Sequence, residues 1–111
     1  MRKEIEMTSK HCTMLALAIS LLPGLVQAAE DAATLAKSNG CLACHHVAVK
    51  KVGPAYKAVA KKYKGDAGAA AHLFQKVRQG GKGAWGPVPM PPQTGVSDAD
   101  LKAIIAWVLE Q

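Results

Sequence analysis

The segment that most constrains this chain is Cys41-Leu42-Ala43-Cys44-His45. Two thiols separated by two residues and followed directly by an imidazole form the C-x-x-C-H pattern, which is the attachment signature of a c-type haem. The two thiols can become thioethers of one porphyrin, and the imidazole can bind the iron from one side. The motif therefore makes Cys41 and Cys44 candidate haem-attachment residues and His45 a candidate iron ligand.

Two other uses of the cysteine pair are weaker interpretations of the same residues. A thioredoxin-like redox pair would need a βαβ context, and the sequence lacks the alternation of apolar and polar residues that predicts strands. A finger-type zinc site would need two further ligands at a suitable spacing. After the motif only His46 and His72 remain, and no second cysteine pair follows. Haem is therefore the favoured interpretation.

The N-terminal segment has the pattern of a secretory signal peptide. A basic start is followed by an apolar run over residues 14–26, and these 13 residues fall short of the ~20 that a membrane-spanning helix needs. Small residues end the run, so we expect cleavage after Ala28, with Ala29 as the second choice. A retained N-terminal helix is the alternative. The prediction is a signal peptide over residues 1–28 and one domain over residues 29–111, exported to the periplasm without stable membrane insertion.

The charge of this domain favours protein partners over nucleic acid. Residues 29–111 carry eleven Lys and Arg against six Asp and Glu, a formal charge of +5. Arg78 is the only arginine among them, and arginine clusters interleaved with aromatic residues are missing. A group of lysines, called the lysine cluster below, comprises Lys50, Lys51, Lys57, Lys61, Lys62 and Lys64. It is either a solvated face or a surface that steers docking onto acidic redox partners.

The hydrophobic pattern predicts an all-α domain of about four helices. The first helix is expected over about residues 31–39, ended by Gly40, and the last begins at Ser97 as N-cap. A second helix is expected after Gly53-Pro54 and ends at Gly65, and a third covers about residues 67–79. The predicted apolar positions are Ala32, Leu35 and Ala36 in the first helix; Tyr56, Val59, Ala60 and Tyr63 in the second; Ala70, Leu73, Phe74 and Val77 in the third; and Leu101, Ile104, Ile105, Val108 and Leu109 in the last.

A long segment between the third and fourth helices contains the candidate for a second iron ligand. Met90 is the only methionine in residues 29–111, and it lies in Pro87-Val88-Pro89-Met90-Pro91-Pro92. Because prolines fix φ, this stretch should be stiff and extended and should hold the thioether at low entropic cost. Methionine opposite histidine raises the potential of a haem and suits electron transfer. The alternative is that Met90 fills a gap in the core, and we expect the rival ligands His46 and His72 to lie at the surface.

Four segments of the chain resemble small bacterial class I cytochromes c of the c-551/c-552 type. They are residues 40–45, residues 52–56, residues 85–92 and residues 107–109, and the similarity extends in order over residues 30–111. The block Trp85-Gly-Pro-Val-Pro-Met-Pro-Pro92 is far more specific than C-x-x-C-H alone. The resemblance implies a single-domain class I cytochrome c fold, with the helices wrapped around one covalently attached haem c and its iron.

The resemblance also implies roles for individual residues. Cys41 and Cys44 match the thioether cysteines, and His45 and Met90 match the two axial ligands. Pro54 matches the proline whose carbonyl accepts the imidazole Nδ1–H. Two further matches concern the haem propionates: Trp85 would donate from its indole, or pack in the core, and Lys76 stands where some relatives have an arginine. Relatives often have an aromatic residue near Leu35-Ala36, so Ala36 would leave the contact of the first helix thinner or filled by a neighbour.

Two functions from different classes follow from these residues. The favoured one is a monomeric periplasmic electron carrier that takes electrons from a quinol-oxidising complex or another cytochrome and passes them to a terminal oxidase or a nitrite reductase; these partners come from the resemblance. The alternative is a haem enzyme or gas sensor with a dissociable Met90. No other histidine or arginine near Met90 in the sequence supports a distal acid or base.

Overall fold

The computed structural model describes residues 30–111. The predicted signal peptide and its cleavage position lie outside the described residues. Four α-helices form the described part of the chain: α1 (Ala32–Ser38), α2 (Tyr56–Lys62), α3 (Ala69–Gln79) and α4 (Asp98–Leu109), with a 3-10 helix at Cys41–Ala43 after α1. These residues contain no β-strand, only an isolated antiparallel bridge between Gly81 and Met90. The predicted all-α fold is confirmed.

Local sequence signals begin and end α1 and begin α4 as predicted, whereas α2 ends at Lys62 rather than at the predicted Gly65. Asp31 caps α1, since its carboxylate accepts the backbone N–H of Ala33 at 3.3 Å. Gly40 follows the C-cap of α1 with a φ of +76°, a left-handed conformation that favours glycine. Ser97 caps α4 and accepts from Asp100 N–H at 3.1 Å. Each cap satisfies backbone groups that a helix end leaves unpaired.

Helix α4 is the centre of the core and packs against each of the other three helices. Its stripe of Leu101, Ile104, Ile105 and Val108 is buried, and Leu109 is half-buried beside it. Ala36 on α1 is completely buried. The contact of α1 with the core at this position is therefore closed to solvent although the side chain is small.

The third helix differs from the sequence-based prediction in its start and in one face residue. It begins at Ala69 rather than at about Ala67, because the Asp66 carboxylate accepts the Gly68 N–H at 2.8 Å and holds a turn there. Ala69 is buried and Ala70 is exposed, so the assignment of Ala70 to the apolar face was wrong. Within residues 30–111 no helix has the length and hydropathy required to cross a bilayer.

Candidate haem site

The His45 imidazole is held by the segment that leads into α2. Its Nδ1 lies 2.8 Å from the Pro54 carbonyl oxygen, which fits an Nδ1–H donor and a carbonyl acceptor. With the proton on Nδ1, Nε2 keeps its lone pair and is the nitrogen available to a metal. The loop between motif and helix is fixed in turn, since Gly53 N–H donates to Cys44 O at 2.8 Å and Tyr56 N–H to His46 O at 3.0 Å.

Close packing on two sides fixes the plane of the imidazole. A Cβ on Gly53 would lie 2.4 Å from His45 Cε1, so the ring occupies the space of the side chain that glycine lacks. On the other side the ring stacks on Tyr56, with centroids 5.2 Å apart and planes 18° from parallel. Tyr56 in turn meets Trp107 of α4 edge to face at 5.5 Å. The orientation of His45 is therefore coupled to the core.

The two cysteines lie at the surface end of this arrangement. Cys41 is half-buried and Cys44 is exposed. Burial raises the pKa of the Cys41 thiol, partly offset by a backbone hydrogen bond. Burial also raises the pKa of the Tyr56 hydroxyl above its usual value, with the nearby Cys41 as a smaller cause.

The segment of residues 80–96, called the Met90 loop, is closed on itself. Gly81 and Met90 exchange two backbone hydrogen bonds, Gly81 N–H to Met90 O at 3.0 Å and Met90 N–H to Gly81 O at 2.8 Å. Gly80 has a φ of +70°, and a Cβ there would lie 2.5 Å from Met90 O. Met90 itself is half-buried and is absent from the core cluster, which favours the role of an iron ligand over that of a core gap-filler.

The far end of the Met90 loop is fastened to α3 and α4 by a residue that sequence reasoning left without a role. Arg78 Nη1 donates to Gln93 O at 2.9 Å, and Nη2 reaches Asp98 Oδ1 at 2.6 Å. Its guanidinium also lies over Phe74, 5.4 Å from the ring centroid. The one available signal was that Arg78 is the only arginine in the domain.

Of the two residues predicted near the propionates, Trp85 lies in the Met90 loop and Lys76 lies on α3 next to it. Trp85 is 38% exposed and lies outside the core cluster, so core packing is the less favoured of its two predicted roles. Its ring lies 4.8 Å from the Lys62 ammonium. Lys76 is exposed, and its ammonium is 3.5 Å from the position that a Gly81 Cβ would take. One lysine ammonium thus lies beside Trp85 and another beside Gly81, and each could stabilise an anionic group.

The remaining predicted surface residues are exposed. All six residues of the lysine cluster are exposed, and Lys51 Nζ donates to Leu42 O at 3.1 Å, between the two cysteines. His46 is exposed, and its Nδ1 accepts from the backbone of Ala48 at 3.0 Å. His72 is exposed as well. The prediction that these two histidines lie at the surface is confirmed.

The residues present fit a covalently attached haem. Within residues 30–111 no hydrogen bond joins His45 and the residues packed around it to the Met90 loop. Both of these parts of the chain expose apolar side chains to solvent. The exposed large apolar side chains are Val49, Val52, Trp85 and Val88, on the segments before Pro54 and around Met90. An imidazole with a free Nε2, a thioether and two thiols form the donor set of a c-type haem. A small helical domain with these donors is that of a small c-type cytochrome.

Comparison with known proteins agrees with this class. The family model for cytochrome c matches residues 29–111. Cytochrome c-551 of Pseudomonas aeruginosa is 52% identical over 83 residues, which is 75% of this chain and 79% of that protein. Cytochrome c-552 of Hydrogenobacter thermophilus is 50% identical over 95 residues, 86% of this chain and 93% of that protein. The crystal structure of Nitrosomonas europaea cytochrome c552 aligns with a TM-score of 0.67 and 52% identity, over 69% of this chain and 95% of that one.

The chain belongs to the cytochrome c family, and within it to the c-551/c-552 type. It has the class I cytochrome c fold and carries one covalently bound haem c with its iron. Members of this group are electron carriers, so the protein transfers electrons and is not an enzyme.

Proposed function

We propose that this protein is a monomeric periplasmic electron carrier whose haem is attached through Cys41 and Cys44 and ligated by His45 and Met90. The observation that supports it best is the 2.8 Å contact of His45 Nδ1 with the Pro54 carbonyl, which leaves Nε2 for the iron. When bound, the haem supplies a one-electron ferric–ferrous couple. His45 and Met90 would together occupy the two axial positions of the iron and would leave no position for a substrate.

The protein's own residues adjust this couple. The Pro54 carbonyl holds the Nδ1 proton and makes the imidazole a stronger donor, which favours the ferric state. Met90 is a neutral thioether and favours the ferrous state by comparison with a second nitrogen ligand. Trp85 and Lys76 are proposed to stabilise the propionates as hydrogen-bond donors. Lys76 would do this as a single point charge where an arginine would offer a planar fork.

Electron exchange is proposed at the surface around the haem attachment. Val49 and Val52 are each 56% exposed and lie in sequence beside Lys50 and Lys51. Apolar side chains surrounded by cations suit a short-lived complex with an acidic partner protein. The charges speed association, and contact between the apolar side chains orders few groups of either protein. A quinol-oxidising complex or another cytochrome as donor, and a terminal oxidase or nitrite reductase as acceptor, are the partners proposed.

The ligand assignment is tested by the substitution Met90→Ala. The ferric protein should show the weak charge-transfer band near the red end of the visible spectrum that a thioether ligand produces, and the variant should lose it. The variant should also have a lower potential and bind carbon monoxide in the ferrous state. Val88→Ala is the matched control, because Val88 lies in the same proline-rich stretch and offers no ligand. An unchanged spectrum in Met90→Ala would refute the assignment.

The docking surface is tested by salt and charge. Oxidation of the ferrous protein by ferricyanide, an anion, should slow as ionic strength rises, because screening weakens attraction to the positive surface. Lys51→Glu should slow this oxidation at low salt. Lys102→Glu on α4 is the control: it makes the same change of charge outside the lysine cluster and should slow the oxidation less. Equal effects of the two substitutions would mean that only net charge matters and that no local docking surface exists.

A further inference from the structure

Arg78 connects three parts of the chain that are distant in sequence. Its two η nitrogens bind Gln93 O at 2.9 Å and Asp98 Oδ1 at 2.6 Å, across separations of 15 and 20 residues. The side chain is 19% exposed, whereas that of Asp98 is 73% exposed. The guanidinium is therefore shielded from water more than its partner, and its hydrogen bonds are screened less than those of an ordinary surface pair.

Gln93 is the point at which the Met90 loop returns to α3. Its backbone N–H donates to Val77 O at 2.9 Å, and its side-chain Nε2 donates to Pro91 O at 3.0 Å. Arg78 takes the one remaining backbone group, the Gln93 carbonyl. Met90 thus lies between two anchors, its own backbone bridge to Gly81 and the attachment of Gln93 three residues later.

We propose that Arg78 is a positioning residue for the axial methionine. By holding Gln93 on the end of α3, it limits the excursions of the intervening segment and so keeps the Met90 thioether at the iron. This inference rests on the proposed ligation by Met90. A neutral thioether is a weak ligand, so the fraction of time it spends bound depends strongly on how well its backbone is held.

The geometry requires an arginine in particular. Two donors in one plane satisfy the Gln93 carbonyl and the Asp98 carboxylate together, while the flat face covers Phe74. A lysine would offer a single ammonium and could satisfy only one of these positions fully. Arg78→Lys should therefore retain part of the effect, and Arg78→Ala should lose it.

Imidazole binding to the ferric protein measures how readily Met90 leaves the iron. Arg78→Ala should bind imidazole roughly tenfold more tightly than the unmodified protein. The free energy of a hydrogen bond to a charged group is enough to change an equilibrium constant by about that factor. Arg78→Lys should fall between them. The amide of Gln93 should exchange with deuterium faster in the same order, which is a readout independent of the haem.

Three controls separate positioning from general destabilisation. Lys102→Ala removes another cation near Phe74, at 6.0 Å from the ring centroid, without touching the Met90 loop. Asp98→Asn removes the ion pair and leaves the Gln93 contact. Val108→Ala weakens the core elsewhere. All three should bind imidazole within twofold of the unmodified protein.

Two results would overturn the proposal. One is an imidazole affinity of Arg78→Ala equal to that of Lys102→Ala; the other is an increase of the same size in Val108→Ala, which would assign the effect to global stability. If Arg78→Ala does not fold, Arg78→Lys is the deciding variant. The role is refuted if Arg78→Lys has the same imidazole affinity and the same Gln93 amide exchange rate as the unmodified protein. Failure of Met90 ligation itself is distinguishable, because the unmodified protein would then lack the red charge-transfer band.

Discussion

Replacing Gly53 by alanine tests how the iron-binding imidazole is held. The new Cβ would lie 2.4 Å from His45 Cε1, 2.8 Å from Nδ1 and 2.9 Å from Nε2. Ordinary carbon contacts lie near 3.5 Å, so the ring must retreat by roughly 1 Å. Gly53 is not in the left-handed region, and the backbone therefore tolerates alanine. The whole effect of the substitution falls on the packing of His45.

The structure sets the magnitude of this effect. Overpacking in a fixed environment costs about 1–3 kcal/mol, and a lost Nδ1–H bond to Pro54 adds about 1 kcal/mol. Alanine also lowers the conformational entropy of the unfolded chain relative to glycine, which offsets about 0.4–1 kcal/mol of this cost. The free energy of unfolding should therefore fall by about 2 kcal/mol. The potential should rise, since an imidazole without its carbonyl acceptor is a poorer donor to ferric iron.

Denaturant unfolding and a potentiometric titration of the attached haem measure the two quantities. Gly95→Ala is the matched control, because Gly95 has an ordinary φ and no heavy atom within 4 Å of an added Cβ. It should be neutral or slightly stabilising and leave the potential unchanged. If Gly53→Ala matches Gly95→Ala in stability and potential, the ring is not held by this contact and the reasoning fails.

Three further substitutions test the parts that support the site. Gly80→Ala should lower the free energy of unfolding in denaturant by about 2–4 kcal/mol, because its positive φ and its contact with Met90 O both oppose a side chain. Gly83→Ala, where φ is also positive but the space is open, should lower it less. Equal losses in the two variants would show that the contact with Met90 O has no effect. Ser97→Ala should cost about 1 kcal/mol through the lost cap of α4, and no change in the unfolding midpoint would contradict that. Ala36→Leu should cost about 1–3 kcal/mol by overpacking; a more stable variant would show that the contact of α1 has room to spare.

The sequence was sufficient wherever the signal was local. The cap at Ser97, the left-handed Gly40 and the stripe on α4 each depend on residues within one or two turns, and all are as predicted. The start of α3 was misjudged because residues 67–71 are all alanine or glycine, which carry no periodicity to show which face is buried. The burial of Ala69 rather than Ala70 depends on packing against α4.

The site was predictable in its parts and not in its connections. The haem motif and Met90 were evident, and so was the pairing of His45 with Pro54, through the resemblance. The Arg78 contacts were not, because Gln93 and Asp98 are 15 and 20 residues away and no periodic pattern links them. The clash that makes Gly53 necessary was hidden for the same reason, since a missing side chain leaves no signal until the ring that replaces it is placed.

The most direct test of the proposed His45 and Met90 ligation is a proton NMR spectrum of the ferrous haem protein. Met90 is the only methionine in residues 29–111, so after removal of the expected signal peptide a methionine methyl signal can come from no other residue of the domain. If Met90 binds the iron, its methyl lies over the porphyrin ring and its signal should move far upfield of every other methyl. A methionine methyl at its ordinary position in the folded ferrous protein would contradict the account.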